Sequence, residues 1–405
     1  MNRQILYDKN SIIEINKDVI YVRGAVRGAI YNFNNNKIFS INEKACFLIN
    51  KYIEDKYFND KYLDILLDNG LISKEFNVRE FKIDKLVHNL EFVWLEITSL
   101  CNLKCIHCYE GDSHKIEKNN LDIDDWKSIL VQLKDVNCQN IEFIGGEPLM
   151  FKGFYDILDF SVKIGHNVHI YSNLTLFNNE LINYIKNNNI VIHFSLYADN
   201  CDIHDNITQV KGSFDKTIFW LKELIKNNVK VVPAVVGMFQ NQNNVDNIKY
   251  FLEELGIKNF KGYDIVRESK YRDTSNIMPN NDILKTVLIS EPKFTINREK
   301  FIRSYTGNTC LFGKFSILPN GDVTPCEFER DIFYGNLKVE NIDTILKSEN
   351  LKKYWYLDFS KIYECKNCEY RFACKDCRPL AKINGEHSKN PRCRYFPLEG
   401  IWRTK

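Results

Sequence analysis

Residues 97–110, ITSLCNLKCIHCYE, decide the fold of this chain, because they place three cysteines on one short loop. The loop directly follows FVWLEI (residues 92–97), an apolar run that is typical of a buried strand. Cys101, Cys105 and Cys108 have the spacing C-x3-C-x2-C. Three thiolates on one loop can hold a cubane iron–sulfur cluster and leave its fourth iron open to a small molecule. The spacing therefore predicts cluster chemistry on a bound ligand.

A structural zinc site is the alternative interpretation of this loop. Cys101, Cys105 and Cys108 with His107 would supply a Cys3His set. His107 adjoins Cys108, however, which makes a shared tetrahedron awkward, and the next cysteine, Cys138, lies far along the chain. We therefore favour the cluster.

The three-cysteine run resembles the signature of the radical S-adenosylmethionine (radical SAM) enzymes. That signature has the same spacing and usually an aromatic residue before the third cysteine, a place that His107 fills here. The resemblance implies that S-adenosylmethionine chelates the open iron and that one electron breaks its sulfonium carbon–sulfur bond. The resulting 5′-deoxyadenosyl radical would then remove a hydrogen atom from an unactivated C–H bond.

Composition sets wide limits on the class of protein. The chain has 405 residues and a net charge of +2 from 55 basic and 53 acidic residues, which suggests two or three domains and requires neither nucleic acid nor an anionic membrane as partner. The N-terminus, MNRQILYDKN, has no apolar signal region, and no apolar run is long enough to span a membrane. We expect a cytoplasmic protein in which most of the 13 cysteines bind metal.

Residues 91–300 alternate between strand and helix patterns, which predicts a parallel sheet curved into a partial, TIM-like (β/α)6 barrel. Such barrels carry their chemistry on the loops at the carboxyl ends of the strands. The candidate strands are FVWLEI, NIEFI, NVHIY, IVIHFSL, VKVVPAVV and NFKGYDIV.

Candidate cofactor contacts follow these strands. Glycines 145 and 146 would let the backbone approach a ligand closely, and by the family resemblance Glu147 would hold the methionine amine. The resemblance also implies that polar residues at the ends of strands three and four contact the ribose and the carboxylate of S-adenosylmethionine. The full predicted set is His107, Gly145, Gly146, Glu147, Pro148, Ser172, Asn173 and Ser195.

The stretch CDIHDNITQVKGSF (residues 201–214) resembles part of the peptide-maturase branch of the family. Many relatives have an arginine three residues after the aspartate, where this chain has Thr208. His204 and Asp205 are expected to be solvated loop residues.

Residues 1–90 predict a separate α+β domain with a winged-helix-like shape. Three segments alternate apolar and polar residues as half-buried strands do, two helical patterns follow, and residues 74–90 are predicted to be a linker. The domain resembles the peptide-recognition element of enzymes that mature ribosomally made peptides. That element binds a leader peptide by adding a strand to its sheet edge.

Residues 301–405 are rich in cysteine and resemble the SPASM domain that follows the barrel in peptide-modifying radical SAM enzymes. The resemblance implies two auxiliary clusters, and so three [4Fe-4S] clusters in all. Zinc ribbons are the alternative for paired C-x2-C units. Cys365, Cys368, Cys374 and Cys393 would hold one auxiliary cluster, and Cys310, Cys326 and Cys377 the other.

Together these patterns predict a radical SAM/SPASM maturase that installs a crosslink, a cysteine thioether above all, in a precursor peptide with a leader. Its electron donor would be a flavodoxin or ferredoxin. The alternatives are an anaerobic sulfatase-maturating enzyme, a carbon–carbon crosslinking maturase and, outside the enzymes, a zinc-containing winged-helix protein that binds nucleic acid. The acidic helix DKYLDILLDN (residues 60–69) counts against nucleic acid. No catalytic base is assigned; Asp199 and Asp264 are two of many acidic candidates.

Overall fold

The computed structural model describes residues 12–57, 59–83, 89–111, 119–258, 260, 262–267, 272–280, 284, 288–289, 295–382 and 385–403. The chain forms two compact units. The first combines Met1–Val87, Leu288–Phe312 and Lys353–Lys405, and the second combines His88–Val287 and Gly313–Lys352. Whether residues 1–90, 91–300 and 301–405 act as three functional domains stays a prediction.

The first unit begins with an antiparallel five-stranded sheet in the order β4-β3-β2-β1-β5, followed in the chain by two helices. Asn42 and Asp60 cap the two helices by accepting hydrogen bonds from their first backbone amides. The α+β character predicted for residues 1–90 is thus confirmed over the described residues. The elements are β1 (Ile12–Asn16), β2 (Val19–Arg23), β3 (Gly28–Asn32), β4 (Lys37–Ile41), α1 (Glu43–Asp55), α2 (Lys61–Asp68) and β5 (Arg79–Glu80).

Strands β1, β2 and β3 are buried on both faces, so the prediction of half-buried strands was wrong. Ile13 and Ile30 pack with the apolar face of α1 and α2, whereas Ile20 and Tyr31 pack with Phe301 and other aromatic residues of the C-terminal segments. The partner of the second face lies more than 260 residues away in the chain, and no local pattern reveals it. The segment predicted as a linker also contributes, because β5 pairs with β1.

The second unit contains an eight-stranded sheet in the order β10-β9-β8-β7-β6-β13-β14-β15. Strands β6 to β10 are parallel, and β13 adds a further parallel strand beside β6. The partial α/β barrel is confirmed, but β13 was missed because it lies beyond residue 300. The strands are β6 (Phe92–Glu96), β7 (Asn140–Ile144), β8 (Asn167–Ser172), β9 (Val191–Ser195), β10 (Val231–Ala234), β11 (Val236–Gly237), β12 (Asp264–Ile265), β13 (Lys314–Ile317), β14 (Asp322–Thr324) and β15 (Gly335–Asn336).

Amphipathic helices connect the parallel strands. The first of them begins with a capping box between Asp122 and Asp125 and buries Trp126, Ile129 and Leu133, as the spacing of its apolar residues predicts. The helices of this unit are α3 (Ile123–Asp135), α4 (Phe154–Lys163), α5 (Asn179–Asn187), α6 (Cys201–Thr208), α7 (Ser213–Lys226) and α8 (Val245–Glu254).

The remaining elements are short. Among the described residues, no helix combines the length and apolar character that crossing a membrane would require. These elements are α9 (Arg298–Thr306), α10 (Ile342–Lys347), α11 (Glu349–Trp355), α12 (Arg378–Ala381), β16 (Tyr395–Phe396) and β17 (Ile401–Trp402).

Candidate active site at the rim of the barrel

The three-cysteine loop follows β6 and is braced by backbone hydrogen bonds on two sides. The amide of Glu147, after β7, donates to the carbonyl of Leu100 at 2.7 Å. On the other side, the amides of Lys104 and Ile106 donate to the carbonyls of Thr208 and Ile207, at the end of α6, at 3.0 Å each. Neighbouring elements on both sides therefore hold the backbone of the loop.

The sulfurs of this loop suit a cluster better than a single zinc ion. Burial raises the pKa of the Cys101 thiol to about 12 and also raises the pKa values of Cys105 and Cys108. Such thiols ionise readily only when a metal binds them. Cys101, Cys105 and Cys108 do not come within 4.8 Å of one another as a group, whereas the sulfurs of a tetrahedral zinc site, each about 2.3 Å from the metal, would lie about 3.8 Å apart.

Gly145 and Gly146 are required by the cysteine loop itself. A Cβ on Gly145, whose φ is +140°, would lie 2.2 Å from the carbonyl oxygen of Thr98. A Cβ on Gly146 would lie 2.3 Å from that of Leu100. Because neither glycine has a Cβ, the chain's own cysteine loop can approach the backbone after β7 closely. The close approach of a ligand to these glycines stays a prediction.

Glu147 is fully buried and held by its neighbours. One carboxylate oxygen accepts hydrogen bonds from the Ser172 hydroxyl at 2.7 Å and from the amide of Leu149, and the other accepts from the amide of Asn173 at 2.9 Å. Burial raises the pKa of Glu147 to about 7 despite these bonds. A carboxylate offers about four acceptor sites, so one remains for an ammonium group. Pro148 begins the 3-10 turn that Glu147 caps.

The polar residues at the ends of β8 and β9 are also engaged with protein groups. The side-chain amide of Asn173 donates to Asn102 at 3.0 Å and lies 3.9 Å from the Cys101 sulfur. The Ser195 hydroxyl donates to the Tyr171 hydroxyl at 3.2 Å. Asn173 therefore orients the first cysteine, and Ser172 positions Glu147.

His107 packs edge-on against Tyr197, with ring centroids 4.7 Å apart. Its Nδ1 is buried and has no hydrogen-bond partner within the described part of the chain. Burial, followed by the charges of Arg272 and His204, lowers the pKa of His107 to about 4. A neutral imidazole with an unused nitrogen suits a ligand lying beside the cysteine loop. Arg272, which the sequence did not single out, is the nearby cation.

His204 and Asp205 are not solvated loop residues, so that expectation was wrong. They lie in α6, and His204 is 1% exposed, with Nδ1 accepting from the amide of Tyr197. The Asp205 carboxylate accepts from the amides of Gly212 and Phe214, and so caps the start of α7. The sequence similarity in this stretch thus has a structural reason.

A buried ion triad stands beside the cysteine loop. Arg330 makes two 2.7 Å hydrogen bonds to Glu96, the last residue of β6, and a longer contact of 3.4 Å to Glu110. Burial, then the charge of Glu96, raises the pKa of Glu110 to about 10. Glu110 therefore tends to carry a proton while Glu96 pairs with the guanidinium. No local sequence pattern predicts this triad, because Arg330 lies 234 residues from Glu96.

Four of the C-terminal cysteines come together in the first unit. Burial, then the charges of Cys374 and Cys393, raises the pKa of Cys365. Burial, then the charge of Glu369, raises the pKa of Cys368, and the charges of Cys365 and Cys374 add to the shift. Cys368 lies one short turn after Cys365. This grouping contains the four residues expected to share one auxiliary cluster.

Hydrogen bonds join the chain segments that carry Cys310 and Cys377. The side-chain amide of Asn308 donates to the Asp376 carboxylate at 2.9 Å, and the Asp376 amide donates to the Thr309 hydroxyl at 2.8 Å. Cys326 is buried in the second unit, after β14. Its expected role with Cys310 and Cys377 stays a prediction.

Two family models match the chain. The "Radical SAM superfamily" model covers residues 95–252, and the SPASM model, described as an iron–sulfur cluster-binding domain, covers residues 309–378. The chain contains a radical SAM domain and a SPASM domain. Its SPASM domain follows the barrel in sequence, as expected, and the two domains indicate S-adenosylmethionine and iron–sulfur clusters as cofactors. The alternative of a zinc-containing nucleic-acid-binding protein is therefore set aside.

Among curated proteins, this chain is similar to the antilisterial bacteriocin subtilosin biosynthesis protein AlbA of Bacillus subtilis. The two are 27% identical over 314 residues, which cover 73% of this chain and 69% of AlbA.

Two solved structures show the same fold. The structure of anSMEcpe with bound AdoMet aligns with a TM-score of 0.60 at 17% identity, over 74% of this chain and 93% of that one. Streptococcus suis SuiB bound to the precursor peptide SuiA aligns with a TM-score of 0.57 at 15% identity, over 95% of this chain and all of SuiB. The alignment with SuiB thus spans nearly the whole of this chain.

Proposed function

We propose that this radical SAM enzyme matures a ribosomally made precursor peptide by installing an oxidative crosslink, with a cysteine thioether as the favoured product. The observation that carries the proposal is the 95% coverage by SuiB, a structure that holds a precursor peptide. The similarity to a bacteriocin biosynthesis protein supports it independently. Sulfatase-maturating enzymes typically lack a peptide-recognition domain like the one predicted at residues 1–90, so that domain counts against this alternative.

The proposed reaction begins at the rim of the barrel. When bound, the cluster and S-adenosylmethionine together supply a 5′-deoxyadenosyl radical that removes a hydrogen atom from the peptide. Cys101, Cys105 and Cys108 would hold the cluster. Glu147 would accept a hydrogen bond from the methionine ammonium group, whose charge favours the ionised carboxylate over the neutral acid.

The remaining predicted contacts fall into two roles. His107 would face the cofactor with its unused Nδ1, and Ser195 would contact the cofactor from the end of β9. Ser172 and Asn173 would act mainly by holding Glu147 and Cys101 in place, since their side chains already bond to those residues.

The C-terminal cysteines would hold two auxiliary clusters, giving three [4Fe-4S] clusters in the enzyme. Cys365, Cys368, Cys374 and Cys393 would close one cluster, and Cys310, Cys326 and Cys377 would leave a position on the other for a substrate thiolate. Forming a thioether from a thiol and a C–H bond releases two electrons and two protons. Removal of the hydrogen atom would account for one electron and one proton. The thiol would lose the second proton, and an auxiliary cluster held by these cysteines would supply the acceptor for the second electron. A flavodoxin or ferredoxin in the cytoplasm would reduce the first cluster.

The leader of the precursor would bind the N-terminal sheet. A pocket of about 470 Å³ lies between the end of β2 and α1, lined by Arg23, Glu43, Lys44, Phe47 and Asn50. Phe47 is 57% exposed, so its ring is available as an aromatic anchor for a partner. The two cationic side chains, Arg23 and Lys44, outnumber the one acidic side chain, Glu43, and suit an acidic leader.

The deciding experiment is mass spectrometry of a cysteine-containing precursor encoded beside this gene, after anaerobic incubation with the reconstituted enzyme, S-adenosylmethionine and dithionite. A thioether removes two hydrogens and leaves the cysteine unable to react with iodoacetamide. Carbon–carbon crosslinking removes two hydrogens but leaves the thiol reactive, and formylglycine formation removes sulfur. An unchanged peptide mass accompanied by 5′-deoxyadenosine release would contradict the maturase assignment.

Leader binding is tested separately with a fluorescein-labelled leader peptide and the wild-type enzyme. We expect Phe47→Ala to weaken binding at least tenfold, because truncating an aromatic anchor typically costs more than about 1.4 kcal/mol. Tyr250→Ala is the matched control, since Tyr250 is an exposed aromatic residue of the other unit. Equal affinities for Phe47→Ala and wild type would place the leader elsewhere.

A further inference from the structure

Two histidines and a glutamate stand together on three adjacent strands of the barrel. Glu142 of β7 and His169 of β8 are register partners, and His193 lies two residues beyond the partner of His169 on β9. Side chains two residues apart share a sheet face, so all three project from one face. Phe143, next to Glu142, points to the opposite face and packs against Phe154 of α4.

The ligand atoms of this trio converge. His169 Nδ1 lies 3.3 Å from His193 Nε2, and His193 Nδ1 lies 3.3 Å from Glu142 Oε1. These contacts involve different nitrogens of His193, of which one would bind a shared metal ion. One nitrogen of each imidazole and one carboxylate oxygen all lie within 4.8 Å of one another, and within the described ranges no other group of histidine, cysteine or acidic side chains does so. Atoms bound about 2.1 Å from a shared metal ion are about 3.0–3.4 Å apart.

The carboxylate is incompletely satisfied. Glu142 Oε1 is buried and makes no hydrogen bond among the described residues, because the short contact with His193 is poorly directed. Glu142 as a residue is only 5% exposed. A buried carboxylate oxygen without a partner is costly, and a cation held by the two imidazoles would satisfy it.

We propose that Glu142, His169 and His193 form a binding site for a divalent transition-metal cation, separate from the iron–sulfur clusters. Two imidazoles and a carboxylate with open positions form the ligand set used for Zn²⁺ and Fe²⁺. Glu142 lies three residues before Gly145, about 10 Å along the strand from the rim. The site therefore does not share ligands with the three-cysteine loop.

Zinc is the probe, because cluster iron would mask added Fe²⁺. The anaerobically reconstituted holoenzyme is equilibrated with Zn²⁺, freed of excess metal, and analysed for zinc per chain. We expect wild type to retain one zinc ion that Glu142→Gln and His193→Gln lose. His387→Gln, which alters a histidine of the other unit, should retain it. Equal zinc contents per chain in wild type and Glu142→Gln, or no zinc in wild type, would overturn the proposal. The three side chains would then only contact one another.

X-ray absorption at the zinc edge of wild-type enzyme keeps the test independent of variant folding. The expected spectrum shows imidazole nitrogen and oxygen at about 2.0–2.2 Å and no sulfur shell at about 2.3 Å. A sulfur-dominated shell would show that zinc had entered the cysteine sites and would overturn the proposal. Iron content and circular dichroism of each variant establish that a lost zinc ion does not reflect a lost fold.

Discussion

The hydroxyl of Tyr31 donates a 2.8 Å hydrogen bond to the backbone carbonyl of Glu369, although 338 residues separate them in the chain. Tyr31 belongs to β3 of the N-terminal sheet, and Glu369 directly follows Cys368. The bond is buried. It ties the proposed leader-binding sheet to a segment that carries proposed cluster ligands, within a single compact unit.

Tyr31→Phe should lower the stability of this unit. The substitution keeps the ring packed against Phe301 but leaves the Glu369 carbonyl without its donor, at a cost of about 1–2 kcal/mol. Anaerobic thermal unfolding followed by tyrosine fluorescence measures the change. Tyr250→Phe, at a residue that is 63% exposed, should leave the midpoint unchanged, and equal midpoints for both variants would contradict the assignment.

Glu96→Gln should be strongly destabilising, by about 3 kcal/mol, because it leaves the Arg330 guanidinium largely buried beside a neutral amide. Glu110 lies 3.4 Å away and offsets part of the loss. The midpoint of urea unfolding is the measurement. The control is Glu399→Gln, which breaks the exposed pair with Arg403 and should change stability by less than about 0.5 kcal/mol.

Gly146→Ala should abolish 5′-deoxyadenosine formation, because the new methyl group collides with the Leu100 carbonyl and displaces the cysteine loop. Gly256→Ala is the control, because it introduces backbone strain without a collision. Gly256 has a φ of +90° and open space around its Cβ position, so that variant should lose about 1 kcal/mol of stability and keep its activity. Wild-type rates in Gly146→Ala would show that the loop tolerates the displacement.

Cys374→Ala should lose about four irons per chain of an expected twelve or so, while Cys101→Ala should lose a different four. We expect Cys374→Ala to keep some S-adenosylmethionine cleavage and to lose peptide crosslinking, since its cluster is auxiliary. Iron and sulfide analysis with product chromatography distinguishes the two variants. Loss of all iron in Cys374→Ala would mean that this cysteine supports the whole fold.

The buried His204 should make stability depend on pH. Burial lowers its pKa to about 4, below the ordinary value of about 6.5, so the unfolded chain takes up the proton first. The full contribution of His204 is present above pH 6.5 and is lost as the pH falls towards 4, by about 2 kcal/mol at pH 5. His204→Gln should reduce the drop in unfolding midpoint between pH 7.5 and pH 5. An unchanged drop would show that His204 titrates normally.

The sequence by itself determined the chemistry and the class of fold. The spacing of Cys101, Cys105 and Cys108 is local information, and so are the strand–helix alternation and the position of Gly145–Pro148 at a strand end. Each depends on neighbours within a few residues, which is the range over which periodicity and turn chemistry act.

The tertiary structure alone decided which distant groups meet. Arg330 forms an ion pair with Glu96, and β13 pairs with β6. The C-terminal segments pack on the second face of the N-terminal sheet. It also assigned Asp205 to a helix cap and gathered Glu142, His169 and His193. The physical reason is that long-range contacts arise from burial and register between elements, and neither leaves a signature in any short stretch of sequence.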